Sequence, residues 1–158
     1  MKTKIGIADT TFSKVDLAYF ALDEINKKFS NVEIVRYTVP GIKDLPVACK
    51  KLLEEQNCEA CLALGMVGKE PIDQQCAHEA SQGIITAQLM TNKHILGAFI
   101  HENEAKDEQD LLSICEDRAR KHAANTVLLI QNPDELMKSA GMGLRQGRAH
   151  VGSIKPKA

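Results

Sequence analysis

Three short stretches carry residue types that could hold and activate an organic ring: Asp9-Thr10-Thr11-Phe12, Val39-Pro40-Gly41-Ile42-Lys43-Asp44-Leu45-Pro46 and Gly65-Met66-Val67-Gly68-Lys69-Glu70. Phe12 offers an aromatic face, Thr10 and Thr11 offer hydroxyls, and Asp9 and Asp44 offer carboxylates that accept from hydroxyl groups. Glycine-bounded turns expose backbone amides, and His101 adds a side chain able to move a proton near neutral pH. Together these describe a polar-rimmed small-molecule site with one aromatic wall. Each feature also has a plainer reading: Phe12 as core, Asp44 as a helix cap, Lys69 as a solvated lysine, and a lone histidine as structural.

These residues need a scaffold that gathers them. In the middle stretch Pro40 fixes its own φ and pushes Val39 toward extended backbone, Gly41 tolerates angles other residues avoid, and Asp44 can cap a following helix. Pro46 suits that helix's first turn, where its missing N–H costs nothing. Strands are predicted at Thr3–Ala8, Val32–Val39, Cys58–Leu64 and His94–Ile100. Between them apolar residues recur at helical spacing: Val15 to Phe29, Leu45 to Leu53, Ile72 to Thr91, and Leu111 to Ala123. Thr126 to Ile130 reads alone as a strand or as more helix, and Pro133 to Lys138 as a short last helix. Strands alternating with helices imply right-handed βαβ units and a parallel sheet covered on both faces. Such a sheet delivers every strand-to-helix loop to one edge, which brings the three stretches and His101 together.

Composition sets the outer limits. With 158 residues and 44% hydrophobic content the chain can bury one ordinary core. Residues 1–140 read as a single domain, and 141–158 as a glycine-rich tail, flexible or ordered by a neighbouring subunit. Twenty basic against 21 acidic residues, net −1, give no electrostatic case for a nucleic-acid or membrane partner. The N-terminus shows no secretion signal and no apolar run is long enough to span a bilayer, so a cytoplasmic protein is expected. Five cysteines, an odd number, argue for reduced thiols. Cys58 and Cys61 look like half a metal site, but in a strand residues three apart face opposite ways and no second pair completes a four-thiolate set. A divalent metal such as Mg²⁺ is compatible with the chain, although no carboxylate cluster with ligand spacing demands one.

The motifs then become recognisable. Val39 to Pro46 and Ala63-Leu64-Gly65-Met66 resemble the lumazine synthase superfamily. Asp9 to Phe12, Val39 to Lys51, Cys76-Ala77-His78-Glu79-Ala80-Ser81, Ala87 to His94 and Gly143 to Gly147 are similar to its archaeal riboflavin synthase branch, over about residues 3 to 147. The resemblance implies a three-layer, flavodoxin-like and lumazine-synthase-like α/β fold with a four-stranded parallel sheet. It also implies a homopentamer with sites between subunits, helix three being a candidate central contact. The reaction it implies is a dismutation of two 6,7-dimethyl-8-ribityllumazines to riboflavin and a ribitylaminopyrimidinedione, with no redox cofactor.

Roles follow from the same resemblance. Phe12 would stack on one ring, with Thr10 and Thr11 at its polar edge. Pro40, Gly41 and Ile42 would shape ring contacts, Asp44 would read ribityl hydroxyls, and Gly65, Met66 and Gly68 would line the base. His101, His78, Lys69 and Thr11 are the candidates for the chemical step; Lys121 is a further substrate contact, and His94 could act only across an interface. One departure separates the chain from lumazine synthases. Their Arg-Gly-acid-Thr-Thr-His-aromatic phosphate segment is replaced by Val67, Gly68, Lys69, Glu70, Pro71, Ile72 and Asp73, and the arginine of helix four falls near Ser113. Two alternatives remain: lumazine synthase itself, and a flavodoxin-like module that binds a flavin or accepts phosphate at Asp9 without turnover.

Overall fold

The runs Ile5 to Ala8 and Ala60 to Val67 are buried on both faces, which only a central place in a helix-covered sheet provides. In the computed structural model, which describes residues 1–156, β1 (Thr3–Thr10), β2 (Val32–Val39), β3 (Ala60–Val67) and β4 (Ile95–His101) form a four-stranded sheet in the order β2-β1-β3-β4. All three pairings are parallel. Helices α1 (Leu17–Lys28), α2 (Leu45–Glu54), α3 (Pro71–Thr91), α4 (Glu108–Gln131) and α5 (Pro133–Lys138) make the connections and the C-terminal end. No described helix is long and apolar enough to cross a membrane.

Strand alternation divides the core. Ala60, Leu62, Leu64 and Met66 face α1 and α4, where they meet Leu17, Ala21, Ile25, Cys115, Ala119 and Ala123. Cys61 and Ala63 face the other way, joining Leu45, Ala48, Leu52 and Leu53 of α2 and Ile84 and Ala87 of α3.

Several boundaries depart from the sequence reading, each for a pairing reason. β1 runs two residues past Ala8 because Asp9 and Thr10 still pair with Thr38 and Val39 of β2. β3 starts at Ala60 and continues past Leu64, because Gly65, Met66 and Val67 pair with Phe99, Ile100 and His101. Gly65 and Met66 are therefore strand, and the loop begins only at Gly68. α1 starts at Leu17, after Val15, with the Asp16 carboxylate accepting from the Tyr19 N–H. The Thr126 to Ile130 stretch is helix: Val127 continues the stripe of Cys115, Ala119 and Ala123, and the Thr126 hydroxyl donates to the His122 carbonyl at 2.7 Å.

Cys58 and Cys61 do not face opposite ways. Cys58 precedes the strand, and both lie in the cluster under α2. Their mutual hydrogen bond and burial push the Cys58 thiol far up, and a hydrogen bond with Cys49 does the same for Cys61. All five cysteines are free thiols.

Among the described residues the tail forms no helix or strand after α5, yet it is tied to the domain. The Gly147 N–H donates to Asp117 at 2.9 Å, and Arg148 reaches Glu104 at 2.9 Å. Residues 157–158 of the tail lie outside the described residues.

One close approach sets the upper edge of the sheet. A Cβ on Gly65 would meet Ile42 Cγ2 at 2.8 Å and the Phe99 ring at 3.0 Å, so the missing side chain lets the turn after β2 lie against β3. Gly65→Ala should cost about 1–3 kcal/mol in denaturant unfolding through overpacking. A variant as stable as the parent would show that Ile42 yields without strain.

Candidate functional site

Beyond Val39 the chain leaves the sheet, turns through Pro40-Gly41 and makes a single 3-10 turn at Ile42–Asp44 before α2. Gly41 is extended, at φ −142° and ψ 169°, a conformation open to any residue, and beyond the glycine and its two chain neighbours no atom lies within 4 Å of where its Cβ would be. The sequence reading gave Gly41 the task of adopting angles other residues avoid, and the extended backbone here does not need a glycine for that. What it leaves open is space, and that space belongs to a cavity.

The cavity, of about 250 Å³, is lined by Phe12, Pro40, Gly41, Ile42, Lys43, Asp44, Met66, Val67, Gly68, Asp73 and Cys76. Phe12 is 55% exposed, so it is not a core residue. Asp44 heads α2 but makes no side-chain capping bond, which leaves its carboxylate free to accept from something else. The plainer reading of Asp44 as a cap is therefore not realised.

The N-terminus of α3 closes the floor. Glu70 and Asp73 take the positions of a capping box, the Asp73 carboxylate accepting from the Glu70 N–H at 3.0 Å while the Asp73 N–H donates to the Glu70 backbone carbonyl at 2.9 Å. Gly68 sits against Asp73 so closely that a Cβ would lie 2.4 Å from Oδ2. The positive end of the α3 dipole thus already has two of the chain's own carboxylates beside it, one of them hydrogen-bonded to a backbone amide.

A second polar region lies along β4, the edge strand. His101 lines a cleft with Gln74, Ala77, His78 and Ser81 of α3, and another with Glu104, Arg118, His122 and the tail residues Arg145, Gln146 and Arg148. Arg118 is buried and fully engaged, donating to Glu104 at 2.8 and 2.9 Å, to the Phe99 carbonyl at 2.9 Å and to the Gly147 carbonyl at 3.4 Å. Glu104 also accepts from Arg148 and from the His101 N–H at 2.9 Å. Burial pushes the Glu104 carboxyl up, but these bonds outweigh it and hold it at about 2. Burial also lowers His122 from its ordinary value.

The sequence-predicted residues therefore fall into separate groups. Phe12, Pro40, Gly41, Ile42, Asp44, Met66 and Gly68 share the cavity. Gly65 lies behind its wall, covered by Ile42. Thr10, the last residue of β1, and Thr11 after it line a neighbouring cleft with Asp9, Arg36 and Thr38. The buried Thr10 hydroxyl has no partner among the described residues, and Thr11 donates to the Pro40 carbonyl at 3.3 Å, steadying the turn. Asp9 is buried and committed to Arg36 and Thr38, both at 2.6 Å, so it does not present an exposed phosphate acceptor. Lys69 is exposed on the turn, and Lys121 pairs with Asp117 on α4 at 3.0 Å, outside the cavity. His78 and His101 belong to the β4 edge, and exposed His94 precedes β4 at the other end of the sheet.

Lys43, Val67, Asp73 and Cys76 were missed as cavity residues, and Gln74, Glu104 and Arg118 as supports of the β4 edge. The Glu70-Pro71-Ile72-Asp73 spacing is a legible capping signal for Asp73. On α4 the buried arginine is Arg118, beside the buried stripe of Cys115 and Ala119.

A model of the 6,7-dimethyl-8-ribityllumazine synthase family matches residues 2–133. Riboflavin synthase from Methanothermobacter marburgensis is 54% identical over 151 residues, covering 96% of this chain and 99% of that protein. Riboflavin synthase from Archaeoglobus fulgidus is 50% identical, with coverage of 96% and 98%. A 6,7-dimethyl-8-ribityllumazine synthase from Saccharolobus solfataricus is 30% identical over 139 residues, 84% of this chain and 90% of that protein.

The depressed Glu104 carboxyl carries a pH signature. Its contribution to stability is complete above its unfolded value of 4.5 and is lost as pH falls toward 2. Between about pH 5 and pH 3 the unfolding free energy of Glu104→Gln should fall less steeply than that of the parent in urea titrations. Identical slopes would show that Glu104 titrates alike in both states.

Proposed function

The chain belongs to the 6,7-dimethyl-8-ribityllumazine synthase family, and on that footing we propose that it is a cytoplasmic riboflavin synthase that dismutates two 6,7-dimethyl-8-ribityllumazines to riboflavin and 5-amino-6-ribitylamino-2,4(1H,3H)-pyrimidinedione. One observation carries the choice between the two activities named among its relatives. A lumazine synthase must hold the phosphate of a sugar phosphate, and here the N-terminus of α3 is filled by Glu70 and Asp73. Arg118, the buried cation at the same edge, is already spent on Glu104. A substrate without phosphate fits this electrostatics, and a lumazine is one.

The reaction transfers a four-carbon unit from one lumazine to the other, so donor and acceptor are the same compound and no redox cofactor enters. The protein's task is to hold two flat heterocycles face to face, move a proton from the 7-methyl group and support addition at a ring carbon. Phe12 stacks on one ring, Ile42 and Met66 form the apolar wall, and Asp44 reads the ribityl hydroxyls. His101 is the base. Nothing in this chemistry requires a metal for bond making.

One subunit's cavity is small for this task, since its 250 Å³ falls below the roughly 300 Å³ where ligand sites begin. The unpaired edge of β4, with Gly97 exposed at its middle, is where a second copy adds the missing wall. A homopentamer closes such a contact, each β4 edge bringing His101 to the next subunit's cavity.

Incubation with 6,7-dimethyl-8-ribityllumazine alone should yield riboflavin and the pyrimidinedione in equal amounts, followed by fluorescence and chromatography. Flavin that copurifies without turnover, or lumazine synthesis from a sugar phosphate with no riboflavin, would overturn the assignment. Asp44→Ala should weaken lumazine binding at least tenfold while unfolding within about 0.5 kcal/mol of the parent, because its carboxylate caps nothing. A large stability loss with unchanged affinity would return Asp44 to a structural role.

A further inference from the structure

A histidine acts as a base through whichever ring nitrogen lacks hydrogen, and the bond made by the other nitrogen decides which one that is. For His101 that bond goes to Gln74, the fourth residue of α3. Gln74 Nε2 donates to the Gly68 carbonyl at 2.9 Å, and its Oε1 lies 2.6 Å from His101 Nδ1. The Gly68 carbonyl can only accept, so the amide must turn its NH₂ group toward it. The amide oxygen then faces His101 and can itself only accept, so Nδ1 must carry the hydrogen. Nε2 is left as the basic nitrogen, on a ring that lines both clefts of the β4 edge.

We propose that Gln74 is a positioning residue that locks His101 in the Nδ1–H form and ties that choice to the cavity floor at Gly68. The inference rests on the reading of His101 as the base in riboflavin formation. In the step it serves, a C–H bond of the 7-methyl group breaks, its electron pair stays on the lumazine as a delocalised carbanion, and the proton goes to His101 Nε2. The imidazolium keeps Nδ1–H bonded to the Gln74 oxygen. It returns the proton when a nitrogen of the departing pyrimidinedione is released, so the dismutation is proton-neutral.

The charged and titratable groups around the ring come from every packed element. His78 stands on α3, Glu104 holds the His101 N–H, Arg118 and His122 lie on α4, and Arg145 and Arg148 on the tail. Asp73 precedes Gln74 in the capping box. None of them changes when Gln74 is replaced, so a change in the ring's titration reports Gln74 itself.

The test compares Gln74→Leu and Gln74→Glu in the full chain. Both lose the donor to Gly68, but only glutamate keeps an acceptor for Nδ1–H. Side-chain ¹H–¹⁵N spectra of the parent should show His101 protonated at Nδ1 and bare at Nε2; a parent ring protonated at Nε2 overturns the proposal whatever the activity. With dimethylribityllumazine as substrate, Gln74→Leu should lose about tenfold or more in kcat with KM within about twofold, as expected when a base is mis-set. Gln74→Glu should recover much of that loss at high pH, with the acid limb of kcat/KM moved up by about one unit because a carboxylate now stabilises the imidazolium. Equal losses in both variants, carried by KM, would reduce Gln74 to a floor support and overturn the proposal. His101→Gln with parental kcat would instead remove the base assignment, a failure the spectra distinguish from a failure of the tautomer lock.

Discussion

The continuation of β3 alongside β4 beyond Leu64 is the contact on which the rest of the site depends. Three further pairs, Gly65 with Phe99, Met66 with Ile100 and Val67 with His101, extend a strand already buried on both faces. Each consequence is geometric. Gly65 backs onto Ile42 and fixes the turn after β2, Met66 and Val67 become cavity wall, and His101 is held level with the cavity floor across one strand spacing. Without that pairing the Gly65 to Glu70 stretch would be loop, and neither the apolar wall nor the histidine would have a fixed place.

Charge placement sets the substrate class. Helix N-termini attract anions, and this fold turns that of α3 into the cavity. The chain answers with Glu70 and Asp73, while Asp44, at the head of the neighbouring helix, stays uncapped and available. At the β4 edge Arg118 and Arg148 both donate to the one Glu104 carboxylate, which they hold near 2. Under the proposed function a neutral, hydroxyl-rich, flat molecule suits such a surface, with Phe12 to stack on and Asp44 to accept, whereas a phosphate would meet the Glu70 and Asp73 carboxylates.

Much of the scaffold was legible in advance. Apolar residues at helical spacing located the helices, and the short apolar, β-branched runs between them located the four strands, because these patterns report how an element is buried. The turn at Val39 to Pro46 was readable for the same local reason, since Pro40 and Pro46 restrict their own backbone. Boundaries were less readable. Asp9, Thr10, Gly65 and Met66 were placed in loops, because strand length depends on a partner strand far away in sequence, and Cys58 and Cys61 were set on opposite faces for want of knowing where β3 begins.

By itself the sequence determined the fold class, the family, and the identity of Phe12, the Pro-Gly turn, Asp44 and Gly68 as neighbours at one sheet edge, since composition, periodicity and motif are local properties of the chain. Tertiary structure alone decided that Gly41 serves space and not conformation, that Asp44 is free, that Thr10 and Thr11 turn into another cleft, that Asp73 lines the cavity, and that Gln74, Glu104 and Arg118 hold the edge at His101. The reason is that these roles are pairwise. Gln74 matters through Gly68 and through His101, 27 residues away, and Arg118 through Glu104, 14 residues away. No spacing rule encodes partners that only the folded sheet brings within hydrogen-bonding distance.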